Sequence, residues 1–112
     1  MGVYPEKGWV SVGERLGVGD RVMFVRRDGQ SAMADLKRMV ADVKRRAGGM
    51  PRAAFYFSCV ARGPNLFGEG SVELKTIADI LGAEVPLIGF FANGEISGDR
   101  LYGYTGVLAL IL

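Results

Sequence analysis

The chain has 112 residues, 49% hydrophobic and 23% charged, enough to close one hydrophobic core and too few for two ordinary domains, so residues 1–112 read as a single domain. The net charge of +2, with Asp20, Asp28, Asp35 and Asp42 interleaved among the basic residues, speaks against a nucleic-acid surface. No run approaches the roughly 18 to 20 apolar residues of a membrane span, the start MGVYPEKGW lacks a signal-peptide layout, and one cysteine with no histidine excludes an internal disulfide, a Cys/His dyad and imidazole metal sites.

The expectation is therefore a cytoplasmic protein with no membrane or nucleic-acid partner, no metal and no cofactor. Residues 9–12 are short and apolar, 17–20 read as a turn, and 21–27 (RVMFVRR) form a β-branched and aromatic run bounded by turn residues. These two apolar pieces are expected to pair as a hairpin. From 31 to about 47, apolar residues fall at Met33, Leu36, Met39, Val40 and Val43, spaced three and four apart, which predicts an amphipathic helix. Asp28 or Ser31 can cap its start, and Gly48-Gly49 stops it.

Residues 53–60 predict a strand, apolar enough to be covered on both faces. A loop over 61–70 leads to a second helix from Ser71, with Glu73 in its first turn, a stripe of Leu74, Ile77, Ala78 and Leu81, and an end at Gly82. Residues 85–92 (VPLIGFFA) form a third buried strand, and 101–112 a last one, separated from it by NGEISGD. The order is β-β-α-β-α-β-β, an α/β (α+β) fold with a mixed sheet and two helices packed on it. Right-handed crossovers make the strands ending near Val60 and Ala92 parallel neighbours. Their following loops then leave the same carboxyl edge of the sheet, where such folds place ligands.

The chemistry-bearing residues gather in those loops. FGEGSVE has the Gly68-x-Gly70 of a phosphate-binding turn, but Glu73 stands at the third glycine and its carboxylate would repel a pyrophosphate. A single carboxylate is better tolerated there, since Arg62 can offer a guanidinium and the helix start its N–H groups. Equally, Arg62 pairs with Glu69, Glu73 or Glu95 and staples two loops. Glu95, in the turn-forming ANGEISG, can face Arg62 across the sheet edge and hold an ammonium group, or serve as its ion-pair partner. Cys59 lies at the end of an apolar strand with no general base in sight, so it reads as packing or pocket wall, and no catalytic residue is assigned. Phe55, Phe57, Phe67, Phe90, Phe91, Tyr102 and Tyr104 are expected mostly in the core, with the rest lining an apolar pocket. The apolar end LYGYTGVLALIL suggests an edge or face covered by a second chain, hence a homo-oligomer.

Whole motifs carry a family resemblance. FYFSCVARGPNLFG, VPLIGFFANGEISG and YTGVLAL resemble the carboxyl-terminal part of the FIST domain (F-box and intracellular signal transduction), and RVMFVRRDGQSAMADLKRMV resembles the segment preceding them, so that the likeness runs from about Val12 onward. The resemblance implies a non-catalytic sensory module of a signal-transduction protein that recognises small molecules such as amino acids. It implies pocket positions at Cys59, Arg62, Gly63, Phe67, Gly89, Asn93, Gly94 and Glu95. Relative to a full FIST domain the chain lacks the amino-terminal half, so association with another FIST segment or a signalling protein is also expected.

Overall fold

The computed structural model describes residues 2–112. Strand β1 (Gly2–Tyr4) and strand β2 (Trp9–Ser11), joined through a 3-10 turn, form a small antiparallel hairpin of their own. An irregular stretch then reaches helix α1 (Gly29–Ala47). Strand β3 (Ala53–Cys59), a short helix α2 (Gly63–Phe67), helix α3 (Val72–Leu81) and strand β4 (Leu87–Ala92) follow. A second hairpin, β5 (Glu95–Ser97) with β6 (Arg100–Tyr102), precedes strand β7 (Gly106–Ile111).

The main sheet has the order β4-β3-β7, with β3 parallel to β4 and antiparallel to β7. It is mixed, as expected, and the parallel pair is the one joined through α3. Cys59 stands opposite Ala92, so the loops after β3 and β4 do leave one edge together.

The periodicities build the core. Because successive strand side chains alternate faces, Ala54 and Tyr56 point to one side of β3, and Leu36 and Val40, one helical turn apart on α1, meet them there with Ile77 and Leu81 of α3. Each fully buried Leu or Ile contributes about 1.5–3 kcal/mol. Helix α1 starts where Asp28 accepts a hydrogen bond from the Ser31 N–H at 3.0 Å, and it stops at Gly48 with φ 71°.

Several expectations need correction. Residues 21–27 are not a strand, and β2 pairs with β1 instead; a β-branched run becomes a strand only where another strand offers it a pleated surface. Residues 61–70 contain α2 within the loop. The last strand is two, divided at 103–105, and its first part pairs with β5. The sheet is covered on one face only: Phe55, Ile88, Phe90, Val107 and Ile111 project from the other, with Ile88 66% and Phe90 65% exposed. The aromatic residues accordingly sit largely outside the core, Phe55, Phe90, Phe91, Tyr102 and Tyr104 all being exposed.

Candidate functional site at the carboxyl edge of the sheet

A buried polar network occupies the helix side of β3. Tyr56 and Ser58, two apart on the strand, present their hydroxyls to the same face, and α3 lowers Glu73 from its first turn between them. The Tyr56 hydroxyl donates to Glu73 Oε1 at 2.7 Å and the Ser58 hydroxyl to Oε2 at 2.8 Å. Arg62 adds its Nε at 3.0 Å and Nη2 at 2.9 Å, both to Oε1. Its Nη1 reaches the Tyr104 carbonyl at 3.4 Å, and its guanidinium carbon lies 5.1 Å from the Phe67 ring centre. Tyr56 is 2% and Glu73 5% exposed, so this carboxylate exchanges water for four donor contacts, the compensation a buried charge needs. Burial, followed by the hydrogen bond to Glu73, pushes the Tyr56 phenol well above its ordinary value.

Three hollows are each lined by part of this network. A cleft of about 170 Å³ lies between α2 and α3, lined by Gly63, Phe67, Glu73 and Phe91 among others. A second, of about 110 Å³, is lined by Tyr56, Ser58, Glu73, Gly89 and Phe91. A third, of about 220 Å³, lies on the α1 side against Tyr56, Arg62, Tyr104 and Thr105. These volumes are below the roughly 300–1,000 Å³ of pockets for drug-sized ligands, so each suits only a small molecule. Glycine is required at their margins. Gly63 has φ 39°, and a Cβ there would stand 3.0 Å from the Phe91 ring; at Gly89 a Cβ would overlap the Tyr56 carbonyl of the neighbouring strand.

The positions expected from sequence divide into two groups. Arg62, Gly63, Phe67 and Gly89 come together around Glu73. Asn93, Gly94 and Glu95 line none of these three hollows: Glu95 begins β5 opposite Tyr102, and Gly94 packs against it so closely that a Cβ would be 2.6 Å from the Tyr102 carbonyl. Cys59 is buried, with its Sγ 3.8 Å from the Asn93 carbonyl, and it too lines none of the three hollows. Both carboxylate oxygens of Glu95 and the hydroxyl of Thr105 are buried without a hydrogen-bond partner. Of the three partners open to Arg62 in the sequence, the structure selects Glu73. Tyr56 and Ser58 were missed, although their i, i+2 spacing in the strand signals a shared face; the Tyr104 carbonyl had no sequence signal at all.

The FIST C domain family model matches residues 1–98. The chain belongs to the FIST C domain family. The match begins before Val12 and ends before YTGVLAL, so the third resembling motif lies outside it. Uncharacterized protein Rv0628c of Mycobacterium tuberculosis is 36% identical over 116 residues, covering 100% of this chain and 30% of its own length. Uncharacterized protein Mb0898c of Mycobacterium bovis is 34% identical with the same coverage. The FIST C chain thus spans about 30% of the length of these curated relatives. No solved structure matches. Among the described residues no helix is long and apolar enough to cross a membrane, and no group of His, Cys, Asp and Glu could hold a metal ion.

Proposed function

We propose that this FIST C domain is the small-molecule-sensing module of a signal-transduction protein, that it binds without catalysing, and that its ligand is of the amino-acid class. Membership of the family supports the sensory role. The observation that carries the binding role is the Tyr56–Ser58–Arg62–Glu73 network, each member of which lines at least one of three small hollows. Buried, fully connected polar groups beside a cleft hold a ligand in one orientation without reorganising. Arg62 is neutralised by Glu73, so the anionic end of a ligand is received by the N–H groups opening α3, in the cleft next to Phe67 and Gly63.

The test is thermal unfolding across a panel of free amino acids. A ligand at a hundred times its dissociation constant stabilises the fold by about 2.7 kcal/mol, and Phe67→Ala should abolish the rise while leaving the network in place. A melting curve unmoved by every amino acid overturns the reading. A second reading, an assembly module, is favoured by the bare apolar face of the main sheet; light scattering that shows a strict monomer at high concentration excludes it.

A further inference from the structure

Two unpartnered features lie near each other. The first is the run Val22, Met23, Phe24, Val25, held between arginines in the irregular stretch before α1, with Met23 81%, Phe24 86% and Val25 80% exposed. Four consecutive β-forming residues without a partner are a strand in waiting. The second is the outer edge of β7, the last strand of the main sheet, whose outward N–H and C=O groups face no other strand among the described residues.

The structure ties one to the other. Arg27 donates through Nη2 to the Ala61 carbonyl at 3.1 Å, just beyond the end of β3, and its guanidinium carbon lies 4.0 Å from the centre of the Tyr104 ring, two residues before β7 begins. The end of the apolar run is thus pinned where β7 starts. Helix α1 follows and leads back into β3, so a strand at 21–27 would make a β-α-β unit with β3, and such units are parallel and right-handed. A strand parallel to β3 is antiparallel to β7, which places Arg27 beside Gly106, at the end where Arg27 is already held. Seven residues also match the six of β7 in length.

We propose that residues 21–27 close onto the outer edge of β7 as a fourth, antiparallel strand, extending the sheet to β4-β3-β7 plus this strap. The occupant of the open edge is the chain's own segment. Closure withdraws the apolar run from water and satisfies the β7 backbone. It also lays the strap beside Tyr104 and Gly106, which line the hollow at Arg62. This inference stands apart from ligand binding and is tested without any ligand.

The experiment is backbone amide hydrogen exchange on the intact chain, read by NMR. In the closed form, amides of 21–27 and the outward-pointing amides of β7 exchange about tenfold or more slowly than those of 13–19. Val25→Pro, which in this register removes a donor aimed at the Leu108 carbonyl of β7, should release both sets while β3 and β4 remain protected. Freely exchanging outward β7 amides in the unmodified protein overturn the proposal, whatever the variant does. So does β7 protection that survives Val25→Pro. Protection that appears only in a concentration-dependent dimer, and is dispersed by Val25→Pro, overturns it in favour of strand exchange between copies.

Discussion

Glu73 shows what one side chain can decide. It accepts from Tyr56, Ser58 and Arg62 at once, and its removal strands three donors in a dry place. Glu73→Gln keeps the shape but leaves the Arg62 charge uncompensated, and urea denaturation should show a loss of about 3–5 kcal/mol, the cost of breaking a buried pair from one side. Arg62→Met combined with Glu73→Gln should recover part of that loss, because no lone charge remains. Tyr56 adds a pH signature. Its folded value lies above the ordinary 10.0 of a tyrosine, so the neutral phenol contributes stability that is fully present below pH 10 and lost as pH rises beyond it. In Tyr56→Phe the alkaline fall in stability, followed by circular dichroism, should be shallower.

The ends of α1 and the pairing of β3 with β4 decide the fold at the scale of elements. Asp28 caps α1 through the Ser31 N–H and hydroxyl, and these bonds hold its carboxyl below the ordinary value. The stability so contributed is present above about pH 3.8 and lost as pH falls below it. Asp28→Ala should remove that acid dependence and speed amide exchange in the first turn of α1. Gly89 matters for a different reason, since the parallel neighbour comes so close that no side chain fits. Gly89→Ala should therefore cost about 3 kcal/mol in thermal or chemical unfolding, at the upper end of overpacking penalties. Most of these elements were legible in the sequence: the 3.6-residue stripe of α1, its Asp28 cap and its Gly48 stop, the apolar run of β3, and the parallel relation of β3 and β4. Residues 21–27 were misread because strand propensity is a fit to a neighbouring strand, and the neighbour is not written in the segment itself.

On the scale of the whole molecule, the helices cover one side of the sheet and leave the other bare. The chain extends over 55 × 32 × 21 Å with a radius of gyration of 17.4 Å, against about 13 Å for a compact domain of this length. Much of its apolar surface consequently lies in water. Ile88→Lys, on the bare face, should leave the melting temperature almost unchanged, within about 0.5 kcal/mol, and should lower self-association in light scattering if that face mediates it. A marked drop in the melting temperature would show that the face is packed within the chain.

By itself the sequence determined the two longer helices, β3 and β4 as a parallel pair, the edge at which two polar loops emerge, and the family, because periodicity, caps and motifs are local properties. Its family resemblance grouped Arg62, Gly63, Phe67 and Gly89 with Cys59, Asn93, Gly94 and Glu95, but it could not choose among Glu69, Glu73 and Glu95 as the partner of Arg62. That choice belongs to the tertiary structure. The packing of α3 on β3 drops Glu73 between Tyr56 and Ser58, while the β5–β6 hairpin carries Glu95 away. The distance between residues far apart in sequence is set by how the elements pack, and packing is a property of the whole chain.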